Sequence, residues 1–478
     1  MNVSDFTFIA PELALFASAI VILLLDCWLP VGFKRLNYVL SQFALLFAVM
    51  LAIPTIQLGY SVEIFSRHVV IDPLAGLLKV AIYMTVIGVF LYGRTYIKSR
   101  GAEKGEHYVL ALMSTVGMSF LVSSNSLLML YIGLELFSLP LYALIAMQQS
   151  QTYASEASMK YFVMGGIASG MLLYGMSLLF GLSNSIIISE VAAMFPAGTM
   201  VGSLATVMIV AAIAFKLGAV PFHMWVPDVY EGAPTDVAAF IASAAKIAAF
   251  GLTFRLLLEA IPQLSAEWET VLLVLAVASL ILGNVTAIAQ TNLKRLLAYS
   301  TISHISFILL GFVAGVGVDG ISAALFYAIV YAFTTLGAFG VLLLLSRTGF
   351  DCEEIADLKG LSQKHPWYAL VMMILVFSLA GVPPTIGFYA KLMIVNALIQ
   401  SGIWLGAVAA MLLSVVGAFY YLRIVRVMYF DAPEESEIKE ETVQAGLAAR
   451  TVLSINALMA LVLGLMPMGL YALCQSVL

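Results

Sequence analysis

Apolar runs of about twenty residues follow one another along almost the whole chain, and nothing else in the sequence restricts the fold as strongly. That length lets an α-helix cross the hydrocarbon core of a bilayer, roughly 30 Å thick. Inside lipid each backbone N–H and C=O must be satisfied within the protein, which leaves helices or closed barrels. The runs are too long for barrel strands. Of 478 residues, 62% are hydrophobic and only 10% charged, and no stretch between the runs is long enough to bury a core of its own. The expected class is an all-α polytopic membrane protein folded as a single transmembrane domain, 1–478.

About fourteen candidate spans can be marked: 10–28, 36–58, 72–93, 107–124, 126–148, 157–181, 201–222, 235–259, 270–289, 295–315, 320–346, 368–400, 403–428 and 450–472. The fourth and fifth nearly touch at Ser123–Ser126, so the turn there must be tight. The twelfth is too long for one straight crossing and contains Gly381-Val-Pro-Pro384, where it should break. Basic residues gather on the cytoplasmic side of membrane proteins. Loops after odd-numbered spans hold Lys34, Arg35, Arg94, Lys98, Arg100, Lys104, Lys294, Arg295, Arg347, Lys359, Lys364, Lys439 and Arg450. Lys160, Arg423 and Arg426 lie at helix ends on that side, and the other side holds only Arg67 and Arg255. This sorting places both termini outside the cytoplasm, on the periplasmic side. The N-terminus lacks the basic start of a signal peptide, so the first helix is expected to be retained.

Several chemistries find no support. Cys27, Cys352 and Cys474 are scattered, without the paired spacing of zinc, iron–sulfur or disulfide frameworks. No glycine-rich phosphate-binding motif appears. The net charge of −5 sits mainly in short loops and indicates no nucleic-acid partner.

Four lysines belong to no loop: Lys79, Lys216, Lys246 and Lys391. Lys216 ends a long apolar run and is followed by Gly218, Pro221, Pro227 and Pro234. A charge at the bilayer centre costs roughly 2.5–3.5 kcal/mol on insertion scales, and proline breaks the helix. The segment should therefore line an internal, partly wet pathway. Glu135, near the middle of its own span, is the natural partner of Lys216. Contact stabilises both charges, and separation favours two neutral groups, so the pair is either a proton-loading element or a fixed ion pair that sets packing.

Lys246 lies among small residues that leave room for close helix approach and water. Lys391 follows the second break and suits a terminal proton site. His304, with Ser300, Thr301, Ser303 and Ser306 nearby, suits a hydrogen-bonded relay, or else a satisfied core histidine. His223 follows the first break and could bridge its cavity to bulk water. Lys160 either tunes the Glu135 region or is a membrane-edge lysine. Lys79 has no obvious partner. Asp228 and Glu231 shape the turn or guard an entrance. Ionisable groups at one depth on several helices are the pattern of a proton relay. Gly218-Ala-Val-Pro221 and Gly381-Val-Pro-Pro384 lie five spans apart, an odd number, which gives two repeats opposite topology. Interrupted helices at matching places point to a transport site.

Four ordered segments, 130–142, 215–235, 292–300 and 379–388, resemble the N-type membrane subunits of proton-pumping NADH:quinone oxidoreductase, respiratory complex I. Asp228-Val-Tyr-Glu-Gly-Ala-Pro234 and Lys246 favour this branch over the related L and M types. Lys391 stands where M-type chains carry glutamate, and no long lateral helix follows the fourteenth span.

The resemblance implies a three-helix segment (1–104), inverted five-helix repeats at 105–260 (spans 4–8) and 268–430 (spans 9–13), and a C-terminal helix (445–478), with helices 7 and 12 broken. It implies a Glu135–Lys216 switching pair, Lys246 as central relay, His304 as link and Lys391 as terminal site, with His223 and Lys160 as auxiliary groups. No cofactor is expected in this chain; flavin, iron–sulfur clusters and quinone would belong to partner subunits. The expected partners are other membrane subunits of the complex, M-like and small K/J/A-like, in a bacterial inner membrane. The alternative function is a stand-alone or Mrp-like sodium/proton antiporter.

Overall fold

The computed structural model describes residues 3–28, 34–101, 103–147, 152–194, 198–315, 317, 319–346, 349–432 and 446–478. The basic loop residues Arg347 and Lys439 lie outside them. A first group comprises α1 (Val3–Phe8), α2 (Ala10–Trp28), α3 (Arg35–Ile56), a small antiparallel hairpin of β1 (Val62–Ile64) and β2 (Val69–Ile71), and α4 (Pro73–Ser99). Next come α5 (Gly105–Val122), α6 (Leu127–Ala146), α7 (Thr152–Ser183), short α8 (Ile188–Met194), α9 (Met200–Leu217), α10 (Trp225–Gly232), α11 (Thr235–Ala242) and α12 (Ala244–Phe254). They are followed by α13 (Ser265–Ile288), α14 (Leu293–Ala314), α15 (Gly320–Leu345), short α16 (Leu361–Lys364), α17 (Pro366–Ala380), α18 (Ile386–Gln400) and α19 (Trp404–Tyr429), then α20 (Leu447–Leu465) and α21 (Met468–Ser476).

Among the described residues, twelve helices are long and apolar enough to cross a membrane. Helix α5 is a further candidate from the sequence, but it carries buried His107, Ser114, Thr115 and Ser119. The long twelfth span is divided as expected: α17 and α18 have 15 residues each, too few to cross alone. The eighth span is not continuous. It bends at Ser243 between α11 and α12, and ends in a π-helical turn, Arg255–Ala260.

Local signals fix several helix starts. Asp72, ahead of Pro73, accepts from Ala75 N at 2.7 Å, Ser126 from Met129 N at 3.2 Å, and Asn292 from Arg295 N at 3.0 Å; each satisfies an orphan donor of the first turn. The tight turn at Ser123–Ser126 is present. It is possible because α5 and α6 pack backbone against backbone: a Cβ on Gly117 would lie 2.3 Å from Phe137 N.

Helices α11, α12, α14 and α15 are almost wholly buried, whereas α2, α3, α19 and α20 expose most of their surface. The buried set forms the centre of the bundle and carries Lys246 and His304.

Lys79 does have a partner. Its Nζ lies 2.6 Å from Glu12 Oε1, with both side chains almost fully buried. The pair ties α2 to α4. Removing one member of a buried pair costs about 3–5 kcal/mol, whereas replacing both by apolar groups is often near neutral. Lys79→Met alone is therefore expected to lower the thermal midpoint of the purified protein well below that of the Glu12→Leu/Lys79→Met double variant. Equal midpoints would contradict the pairing. Two basic residues expected in a loop or at a helix end are also buried. Arg255 binds Asp72 at 2.7 Å and Glu259 at 2.6 Å, and Lys294 binds Glu353 at 2.7 Å.

Candidate functional site

Two helices stop in mid-bundle in the same way. Helix α9 ends at Gly218, with φ of 87°, whose N–H donates to Ala214 O, while Ala219 N also donates to Ala214 O. Helix α17 ends at Gly381, with φ of 83°, whose N–H donates to Phe377 O, and Val382 N does likewise. Glycine adopts this left-handed cap without a Cβ penalty. Each break still leaves carbonyls of the last turn unbonded by backbone.

Buried amines satisfy them. Lys246 Nζ, from α12, donates to Leu217 O at 2.9 Å and Lys216 O at 3.4 Å. Lys391 Nζ, from α18, donates to Ala380 O at 2.8 Å and to Ser414 Oγ at 3.0 Å. Leu217 and Ala380 each directly precede the glycine of their break, so the two lysines occupy equivalent places. By chain order the lysines break correspondence, since Lys216 precedes its prolines and Lys391 follows them; in space Lys246 and Lys391 correspond. The C-terminal end of a helix carries partial negative charge and favours an ammonium. A neutral amine retains N–H donors, so these carbonyls stay bonded when the proton leaves. Trp225 Nε1 takes Phe215 O at 2.9 Å, and its ring lies 5.0 Å from Lys246 Nζ.

The expected direct contact between Glu135 and Lys216 is not formed. Lys216 Nζ donates instead to Ser138 Oγ at 2.9 Å, and Glu135 Oε1 is buried with no hydrogen-bond partner. Ser138 lies three residues after Glu135, on the same face of α6, and its hydroxyl donates to Leu134 O at 2.7 Å. The serine holds the amine one step away from the carboxyl. A hydrogen bond to a charged group is worth about 1.5–3 kcal/mol. Ser138→Ala is therefore expected to shift Lys216 toward Glu135 by about tenfold or more and to slow proton movement several-fold. Unchanged proton uptake by membrane vesicles carrying the variant would contradict this.

His304 sits in a nest of phenols. Its Nδ1 lies 2.7 Å from Tyr327 Oη, and its Nε2 lies 3.0 Å from Tyr421 Oη, which also meets Ser300 Oγ. Beside it a cavity of about 10 Å³, lined by His304, Tyr327, Tyr331, Ser378 and Ala390 among others, has room for about one water. Lys391 Nζ lies 5.5 Å from the Phe307 ring, which stacks on Tyr327, the phenol bonded to His304. The site thus has two clusters, one around Lys216 and Lys246 and one around His304 and Lys391. Among the described residues, no hydrogen bond or ion pair joins Lys246 to His304.

The auxiliary residues fall elsewhere. Lys160 pairs with Asp228 at 2.7 Å and Glu156 at 2.8 Å, not with Glu135. With Glu231, Lys294, Arg295 and Glu353 they line an open vestibule of about 580 Å³. His223 is half-buried beyond the first break, with Nδ1 buried and unbonded. Sequence reasoning missed Ser138 and the tyrosines. The tyrosines at 327 and 331 share one side of a helix by their spacing, a signal that was legible.

The family described as NADH:quinone oxidoreductase/Mrp antiporter, transmembrane, matches residues 124–417, a range that includes both breaks. A protein of Thioalkalivibrio sulfidiphilus named NADH-quinone oxidoreductase subunit N is 48% identical, over 98% of this chain and 97% of its own length. A chain of respiratory complex I from Thermus thermophilus superposes with a TM-score of 0.83 at 28% identity, covering 97% of this chain and 98% of that one. A chain of the Mrp complex from Dietzia sp. shares the fold, with a TM-score of 0.85 at 20% identity, over 100% and 97% of the two chains. The near-complete match to subunit N sequences, the family match across both broken helices and the shared fold together show that this chain belongs to the NADH:quinone oxidoreductase/Mrp antiporter family, in its NADH-quinone oxidoreductase subunit N branch.

Proposed function

We propose that the chain is a proton-translocating, antiporter-like membrane subunit of an NADH-quinone oxidoreductase. It moves protons across a bacterial membrane while other subunits carry electrons from NADH to quinone. Flavin, iron–sulfur clusters and quinone belong to those partners, and this chain is the non-redox part of the enzyme. Its neighbours are other membrane subunits of the complex.

The observation that carries the reading is the pair of buried amines on the open ends of two broken helices, Lys246 on Leu217 O and Lys391 on Ala380 O. A lysine held this way keeps its hydrogen bonds whether charged or neutral, as a proton carrier must. In this reading Glu135 and Lys216 form a distance-dependent loading pair, with Ser138 setting the open position. Lys246 receives the proton, His304 passes it on through its phenols, and Lys391 releases it. Lys160 and His223 serve the entrance and the first cavity. The repeats 105–260 and 268–430 each supply one broken helix and one capping lysine. The basic loops mark the side of uptake, and both termini lie on the side of release.

The separating experiment is co-purification. A tagged chain extracted from its own membranes in mild detergent is expected to carry NADH-oxidising, quinone-reducing subunits with it. Recovery only with sodium/proton-exchanging membrane subunits, and no such activity, would favour the Mrp-like reading instead.

A further inference from the structure

We propose that Tyr230, Thr301 and Tyr331 form a file of hydroxyls through which protons pass from the charged vestibule to His304. The inlet would load His304 from the vestibule in step with delivery through Lys246, and pumping would need both. It rests on the relay reading above.

The vestibule of about 580 Å³ is lined by Glu231 and Lys294, among others. Tyr230, next to Glu231 in α10, is fully buried. Its hydroxyl is buried where α10 packs against α14, beside Thr301, and makes no hydrogen bond of good geometry among the described residues. A buried polar atom without a well-made hydrogen bond is destabilising, which phenylalanine would avoid. The oxygen therefore marks a place where a proton or a water is received.

Tyr331 Oη donates to Thr301 Oγ1 at 2.7 Å. The Tyr331 ring lies 5.0 Å from that of His304, and Tyr331, Tyr327 and His304 all border the cavity of about 10 Å³. Lys294 at the vestibule and Thr301 lie two turns apart on one face of α14, and His304 is nearly one turn further on.

Each step conserves charge. A proton arriving at the Tyr230 oxygen forms a new O–H bond as the original phenolic hydrogen passes to Thr301. Thr301 passes its hydrogen to Tyr331, and Tyr331 passes its own to a water in the cavity. The water hands one on to Tyr327, and Tyr327 protonates His304 Nδ1, 2.7 Å away. One O–H bond forms as another breaks at each oxygen, and the net change is one proton on the imidazole. At rest the Thr301 hydrogen points to Leu297 O at 2.8 Å, so each hydroxyl turns over once per proton.

The test uses the assembled complex in everted membrane vesicles and reads protons taken up per NADH oxidised. Tyr230→Phe, Tyr331→Phe and Thr301→Val are expected to lower that ratio to the level of His304→Ala, and Thr301→Ser to restore it. A packing role predicts the reverse order at position 301, because valine preserves shape and serine does not. Thr301→Val pumping as well as Thr301→Ser would overturn the inlet. So would normal pumping by the hydroxyl-deleted variants when Lys246→Ala has lost it, which leaves the relay standing. Normal pumping by assembled Lys246→Ala as well would remove the relay reading itself, and the inlet with it. Thr301→Val, which keeps the number of heavy atoms, decides the question if a tyrosine variant fails to assemble.

Discussion

Lys216→Ala is expected to leave the complex assembled and to slow proton pumping by roughly two orders of magnitude. The substitution deletes the amine placed to alternate between Ser138 and Glu135. Without it a proton must cross the same gap with no carrier, and a charge at membrane depth costs roughly 2.5–3.5 kcal/mol. Each 1.4 kcal/mol added to a barrier is about tenfold in rate. Assembly is spared because, among the described residues, the Lys216 side chain donates to a single hydroxyl, whereas its carbonyl is bonded by Lys246 and survives the change. Proton uptake in vesicles, normalised to the amount of assembled complex, checks this. Normal uptake would refute the role of Lys216.

Gly387→Ala is expected to act in the opposite sense, with loss of assembly before any question of pumping. A Cβ there would lie 1.8 Å from Ser378 O, and the Gly387 N–H donates to Ser378 Oγ at 3.2 Å. This contact holds the start of α18 against the end of α17, on the helix that carries Lys391 to the Ala380 carbonyl. Overpacking costs typically about 1–3 kcal/mol even where side chains can yield; here the obstacle is backbone, so the cost should exceed that range. Gly381→Ala should also impair assembly, for a different reason: its φ of 83° strains any residue with a Cβ, and that Cβ would meet the Lys391 side chain at 2.9 Å. Recovery of intact complex from detergent extracts measures both. Full assembly of Gly387→Ala would contradict the close approach.

The sequence announced the membrane fold and both breaks because lipid leaves so few options. Long apolar runs mean helices, and glycine with prolines inside a run means an interruption that must face protein or water. It could not announce which runs form the centre. Helices α14 and α15, nearly all buried, are about as apolar as the more exposed α2 and α3, since lipid and protein interior ask for the same side chains. Charged residues were legible as anomalies, and their neighbours less so. Lys79 lacked a visible partner because Glu12 lies far back in the chain, near the start of another helix. Ser138 looked ordinary because a helical serine usually bonds only its own backbone, as this one also does to Leu134 O. The equivalence of Lys246 and Lys391 was hidden because one sits on the helix after its break and the other on the second half of the broken helix itself.

The central claim is that hydrated gaps connect amines, an imidazole and a carboxyl held inside the membrane. An experimental map of the whole complex that resolves ordered water tests it most directly. The account predicts waters bridging Glu135 to Lys216, Lys246 toward the His304 cavity, and that cavity to Lys391. Continuous dry hydrocarbon packing between Lys246 and His304, with no water in the phenol-lined cavity, would contradict it.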